Sequence, residues 1–144
     1  MTLARTSLVL CLSAFTIALL SGCFPNTCGN QVLEEAPSPE ARYKAVAFER
    51  DCGATTGFST QVSVLPADEG DPEGAGNVFV ANIGHGATSS GPGGGLEVSL
   101  EWAADETLVI TYDSQARVSK TESHLEGVDI EYRAVNGEET ASSS

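Results

Sequence analysis

Apolar residues recur at every second position in short runs along most of the chain. Between Leu96 and Trp102, apolar residues alternate strictly with glutamate and serine, and residues 127–135 show the same alternation. A strand points successive side chains to opposite faces of its sheet. Both segments are therefore predicted to be strands with one buried face, and Trp102 is predicted to lie in the core.

Other segments rich in β-branched and aromatic residues are also predicted to be strands. They cover residues 30–35, 43–50, 58–65, 77–83, 107–113 and 117–123. The segment 77–83 is nearly all apolar, as in a strand covered on both faces, whereas 117–123 is polar, as at a sheet edge. No segment has the 3.6-residue periodicity of an amphipathic helix. The pattern predicts an all-β fold, a small antiparallel β-sandwich or bent meander of about seven to eight short strands.

The N-terminal segment departs from this pattern. Arg5 is followed by residues 7–20, which carry no charge and are mostly apolar. A charged start before an apolar run too short to span a bilayer is typical of a secretory signal peptide.

The junction that follows is Leu20-Ser21-Gly22-Cys23, and it resembles the lipobox of bacterial lipoproteins. The resemblance implies cleavage before Cys23, transfer of a diacylglycerol to its thiol, acylation of its new amino group with a fatty acid such as palmitate, and a membrane anchor through these lipid chains. Ordinary signal-peptide cleavage, with Cys23 left as a plain thiol, is the alternative. Gram-negative lipoproteins kept at the inner membrane commonly have Asp at the next position. Phe24 therefore implies the outer membrane, with the domain facing the periplasm.

These observations predict the organisation of the chain. Residues 1–22 are a signal peptide, 23–27 a lipidated tether, 28–135 the β-domain and 136–144 a disordered tail rich in serine and glutamate.

The two remaining cysteines of the exported chain, Cys28 and Cys52, are predicted to form a disulfide. A hairpin that turns near Pro39 and Glu40 pairs residues whose numbers sum to about 79, and the two cysteine numbers sum to 80. The thiols then lie nearly opposite each other at the open end of the hairpin, in a compartment that permits disulfides. Metal binding is the alternative, but two cysteines without a Cys-x-x-Cys motif make a poor zinc site.

The stretch SPEARYKAVAFERDCGATTGFSTQV, which begins at Ser38, resembles a motif in small bacterial exported proteins of unknown function. Those proteins usually have Asp-Gly where this chain has Glu40-Ala41. The start of the motif also resembles the strand-entry turn of TolB-type propeller blades. The resemblance implies hairpin geometry and no activity. Ala41 replaces the glycine that would readily adopt a left-handed conformation.

Two loops rich in Gly and Pro, residues 66–76 and 84–95, are the first candidates for a functional site. His85 lies between two glycines in the second loop, and Thr55 lies in a Gly-Ala-Thr-Thr-Gly segment. A small envelope hydrolase or ligand-binding protein would use His85 and Thr55 as its polar groups. An incidental loop histidine and a hairpin threonine are the alternatives.

Asp68, Asp71 and Glu73 in the first loop are candidates for a calcium site, because calcium prefers clustered carboxylate oxygens. However, Pro72 interrupts their spacing and no EF-hand pattern is present. A solvated acidic turn without a metal is the alternative. We expect neither a metal nor another cofactor.

Charge narrows the range of partners. The chain has 7 Lys+Arg against 20 Asp+Glu, a net charge of −13, which argues against nucleic acid because such binding depends on neutralising phosphates. The sequence therefore predicts a lipid-anchored envelope β-domain that acts as a non-catalytic interaction or structural module, with an envelope protein as its partner. The hydrolase or ligand-binding protein described above is the alternative.

Overall fold

The computed structural model describes residues 28–53, 57–87 and 93–136, and this part of the chain is all-β, as predicted. It contains nine strands, one more than the upper limit expected. They are β1 (Gly29–Pro37), β2 (Tyr43–Asp51), β3 (Phe58–Pro66), β4 (Phe79–Asn82), β5 (Val98–Ala104), β6 (Thr107–Asp113), β7 (Arg117–Thr121), β8 (His124–Leu125) and β9 (Val128–Val135).

The strands form two sheets that enclose one core, consistent with a small sandwich. The first sheet has the order β1-β2-β3-β4-β7, and the second has the order β5-β6-β9-β8. Apolar side chains from both sheets pack between them, and the largest of the fully buried ones are Phe79, Leu96, Leu108 and Ile110. Trp102 packs against this core, and its Nε1 donates to the carbonyl of Ala36 at 2.9 Å. It was predicted to lie in the core, and the structure places it, partly buried, at the edge of the core.

One strand pairing differs from the expected antiparallel arrangement. β6 and β9 run parallel, with Leu108 opposite Ile130. The reason is that the chain leaves the second sheet after β6 and adds β7 to the first sheet beside β4. It then returns to the second sheet and enters β9 in the direction of β6. Strand β7 is an edge strand, as its polar sequence predicted.

The unexpected strand is β8, which has only two residues and pairs with the start of β9. The connecting residues Glu126 and Gly127 have φ values of 50° and 91°. Two consecutive positive φ values are the requirement of a type I′ hairpin turn. Two residues are too few for the alternation of apolar and polar positions to be recognised in the sequence.

The β1–β2 hairpin has almost the predicted register. Gly29 pairs with Asp51, so residue numbers sum to 80 near the open end, and a bulge between Val32 and Glu34 raises the sum to 81 beyond it. Cys28 and Cys52 continue the first register and form the predicted disulfide, with Cα atoms 3.9 Å apart.

Strand β4 is shorter than the apolar segment 77–83 that predicted it. It begins at Phe79, and Val80 is only partly buried, so the strand is not covered on both faces. Asn77 lies before the strand, and its side chain bonds to the backbone of Val64. Its Oδ1 accepts from the backbone N of Val64, and its Nδ2 donates to the carbonyl of Val64, both at 2.8 Å.

Strand β2, in contrast, is buried on both faces from Lys44 to Arg50. Its inner face, defined here as the face towards the second sheet, contributes Ala45 and Ala47 to the core. Its outer face carries Val46 and Phe48, which are fully buried although they point away from the second sheet. The loop of residues 67–76 lies over that outer face.

Within the described ranges, no helix is long and apolar enough to cross a membrane.

Candidate functional site

The second Gly-rich loop is held by a buried carboxylate that the sequence analysis did not single out. Glu49 is only 1% exposed, on the inner face of β2. Its Oε2 accepts a hydrogen bond from the backbone N of Gly93, and its Oε1 accepts one from the backbone N of Gly95, both at 2.8 Å. These two bonds compensate part of the cost of removing the carboxylate from water.

Glycine is required at both positions because the loop backbone approaches the carboxylate closely. A Cβ on Gly93 would lie 2.6 Å from Oε2 of Glu49 and 2.8 Å from the ring of Phe58. A Cβ on Gly95 would lie 2.4 Å from Oε1 of Glu49. Thr60, next to Glu49 on β3, adds a hydrogen bond from its hydroxyl to the carbonyl of Leu96 at 2.8 Å. The run of glycines therefore fits the end of the loop around Glu49.

Beside this contact, at the end of the sandwich where the disulfide lies, no described residue covers the inner face of the first sheet. In one row across the sheet, Gly29, Asp51 and Phe58 are directly opposite one another on neighbouring strands. The adjacent row contains Gln31 and Glu49. These residues, together with Asn30 and Gly53, line a depression of about 440 Å³. Phe58 is 42% exposed.

His85 is exposed in a turn after β4 and lines neither this depression nor the one described below. Its neighbour Gly84 is buried against the β6–β7 connection, where a Cβ would come within 1.7 Å of the carbonyl oxygen of Gln115. Gly86 has a φ of 91° and also faces Gln115. The two glycines around His85 are therefore explained by this close contact. Thr55, the other candidate of the hydrolase hypothesis, lies outside the described residues, as does Cys23.

The first Gly-rich loop is tied to the outer face of the first sheet by polar side chains. Nδ2 of Asn30 donates to the carbonyls of Pro72 (2.6 Å) and Gly74 (2.8 Å). Oδ1 of Asn30 in turn accepts from Nη1 of Arg50 at 2.6 Å. On the next strand, Oε1 of Gln61 accepts from the backbone N of Gly76 at 2.6 Å. Asn30, Arg50 and Gln61 thus hold the loop over Val46 and Phe48, which explains the burial of this face.

The three calcium candidates, Asp68, Asp71 and Glu73, are exposed on this loop. A depression of about 420 Å³ lies between the loop and the sheet, and Asp71 and Glu73 are among its lining residues. In the part of the chain that the structure describes, no group of three or more His, Cys, Asp or Glu residues could hold a metal ion.

The opposite end of the sandwich, called here the turn end, joins the β1–β2 turn to the β5–β6 turn. Arg42 donates from Nε to Oδ2 of Asp105 at 2.8 Å and from Nη2 to Oε1 of Glu106 at 2.9 Å. The backbone N of Glu40 donates to Oδ1 of Asp105 at 2.7 Å. Partial burial acts to raise the pKa of Asp105, but the hydrogen bond from Glu40 and the charge of Arg42 outweigh it and lower that pKa.

Two further groups, one on each sheet, have shifted pKa values. Glu34 on β1 is exposed overall, but partial burial of its carboxyl group raises the pKa, although a hydrogen bond with the backbone of Leu100 on β5 opposes the shift. Tyr132 on β9 donates its hydroxyl proton towards the carbonyls of Val78 (2.9 Å) and Glu122 (2.8 Å). Burial, supported by the nearby charge of Glu122, raises the pKa of Tyr132 to about 12. Both groups connect the two sheets, which is a structural role.

The residues that sequence reasoning missed, Glu49, Arg50, Asn30 and Gln61, are polar side chains on predicted strands. One signal was present for Glu49 and Arg50, because they end a strand whose central residues are apolar on both faces. The hydrogen bonds of Glu49 join it to a loop more than forty residues away, so no pattern of neighbouring residues could predict them.

Comparison of the chain with family models, with curated proteins and with solved structures found no match.

Proposed function

We propose that this protein is a lipid-anchored component of the cell envelope whose β-sandwich acts as a non-catalytic interaction or structural module. The observation that carries the proposal is the Cys28–Cys52 disulfide at the start of the described domain. Structural disulfides are typical of exported proteins. The bond supports export, and the lipobox-like sequence ending at Cys23 supports a lipid as the anchor.

The position of the disulfide suits an anchored domain. Cys28 follows the proposed lipidated residue Cys23 by five positions, and the bond joins the residue just before β1 to the residue just after β2. A pull on the tether is thereby passed to two strands instead of one. The net charge of −13 would repel the domain from anionic headgroups, so the lipid supplies the attachment.

The module assignment is supported by how the polar side chains are used. Glu49, Arg50 and Lys44 are all at least 93% buried, and each takes part in bonds that hold a loop or a neighbouring strand. His85, the residue on which the hydrolase hypothesis depends, lies on an exposed turn. We therefore favour the interaction or structural role, with an envelope protein as partner and Phe24 favouring the outer membrane.

The anchor is tested by expressing the full chain in a Gram-negative bacterium supplied with labelled palmitate. We expect the label in the wild-type protein and in the matched control Cys11→Ala, which removes the cysteine of the proposed signal peptide. Cys23→Ala should lose the label and keep its N-terminal segment, as read by intact mass. An unlabelled wild-type protein in the cytosol, or label retained by Cys23→Ala, would refute the anchor.

A further inference from the structure

The depression at the disulfide end has the features of a site for an organic cation. Its lining combines an exposed aromatic ring, that of Phe58, with the carboxylate-bearing residues Asp51 and Glu49. Asp51 and Phe58 are directly opposite on neighbouring strands, which places their Cβ atoms about 5 Å apart. A cation over the ring could contact the Asp51 carboxylate at the same time, and both contacts favour positive charge.

The buried Glu49 adds to this preference. It is 1% exposed, and none of the salt bridges between described residues involves it. The neighbouring Arg50 lies on the opposite face of the strand, where it donates to Asn30. Backbone N–H groups of the Gly-rich loop stabilise the Glu49 carboxylate but carry no net charge. The negative field of Glu49 is therefore not neutralised by a described side chain at the depression.

The depression also has room for a side chain. Gly29 contributes no side chain to the row that contains Asp51 and Phe58, and a Cβ placed on Gly29 would meet no atom of the described residues within 4 Å. A volume of about 440 Å³ is at the lower end of the range for small-ligand sites. It can hold the end of an arginine or lysine side chain.

We propose that this depression, lined by Gly29, Gln31, Glu49, Asp51 and Phe58, binds a guanidinium or ammonium group carried by an arginine or lysine side chain of a partner protein. The proposal names the chemistry by which the interaction module would recognise its partner, and in that respect it rests on the proposed function. The binding itself can be measured whether or not a lipid is attached, so the two can fail separately.

The test titrates the ¹⁵N-labelled full chain, in mild detergent, with N-acetyl-arginine amide. Its neutral isostere N-acetyl-citrulline amide is the control ligand. We expect the arginine compound to shift the amide signals of Asp51, Gly53 and Phe58 saturably, and the citrulline compound to shift them far less. Equal shifts from both compounds, or no saturable shift from arginine, would overturn the proposal.

Three variants locate the site. Phe58→Ala should weaken arginine binding about three- to fivefold by removing the ring. Val32→Ala, which truncates another exposed apolar side chain on the first sheet, should not weaken it. Asp51→Asn keeps the acceptor for the backbone N of Gly53 and should weaken binding about threefold. Asp71→Asn removes the same charge from the acidic loop and should have no effect.

The third variant, Gly29→Leu, fills the depression without removing a contact or a charge, and should abolish saturable binding. Its melting temperature is measured to confirm folding. If Asp71→Asn weakens binding as much as Asp51→Asn, the attraction comes from the whole acidic surface and the site is wrong. Unchanged binding by a folded Gly29→Leu protein would overturn the proposal as well.

Discussion

The two ends of the sandwich are held together by different kinds of interaction. At the turn end, short turns bring Arg42 to Asp105 and Glu106, and these charged groups are bonded at the surface. At the disulfide end, a covalent bond joins the two strands of the β1–β2 hairpin, and the buried carboxylate of Glu49 holds the end of a Gly-rich loop. Ion pairs at a solvated surface contribute little each, whereas a crosslink and a buried charge-assisted hydrogen bond contribute more.

Removing the disulfide is expected to change the free energy of unfolding the most. The bond closes a loop between positions separated by 24 residues, so replacing both cysteines, Cys28→Ser with Cys52→Ser, should lower the free energy of unfolding by about 3 kcal/mol. Urea unfolding of the variant and of reduced wild-type protein measures this loss. A much smaller loss of unfolding free energy would show that the disulfide is not the main interaction that stabilises this end.

The buried carboxylate is expected to give the next largest effect. Glu49→Ala leaves the backbone N–H groups of Gly93 and Gly95 without their acceptor and should destabilise the protein by about 2 kcal/mol. Glu49→Gln keeps an acceptor oxygen and should cost less. Hydrogen exchange at the two glycine amides should accelerate in Glu49→Ala while amides in β6 remain protected. Unchanged exchange at Gly93 and Gly95 would contradict the role given to Glu49.

The contact between the sheets made by Tyr132 should depend on pH. Its pKa is raised from 10.0 to about 12, so the neutral hydroxyl is favoured in the folded state. The corresponding stability is fully present below about pH 10 and is lost as the pH rises towards 12. Because Tyr132 is only half-buried, the loss should be on the order of 1 kcal/mol. Tyr132→Phe should lack this alkaline loss in urea unfolding at pH 9 to 12, and a loss of equal size in that variant would disprove the assignment.

The smallest expected effect is a gain at the turn end. Ala41 has a φ of 52°, in the left-handed region that glycine adopts without steric cost. Ala41→Gly should therefore stabilise the protein by about 0.5 kcal/mol, even though glycine makes the unfolded chain more flexible. Thermal unfolding of this variant, with Ala67→Gly as a control in another loop, measures the difference. If Ala41→Gly destabilises the protein, the positive φ of Ala41 does not cost the folded state the free energy assigned to it here.

Most of the strands could be predicted because their signals are local. Strand β6 has the predicted bounds, β5 shows the expected alternation, and the hairpin arithmetic located the disulfide. The departure from a glycine at position 41 was also visible in the sequence, and the structure shows the positive φ that makes it matter. The candidate site was predicted less well. The sequence identified the second Gly-rich loop but indicated His85 as its functional residue, whereas the structure shows that Gly93 and Gly95 of this loop bond to Glu49.

The sequence by itself determined the all-β class, the position of most strands and the covalent link between Cys28 and Cys52, because alternation and hairpin register are properties of neighbouring residues. Only the tertiary structure decided that β9 lies parallel to β6, that the acidic loop covers the outer face of β2, and that Glu49 is buried. Each of these depends on which distant segment packs against a strand, and the sequence pattern of the strand is the same whichever segment does so.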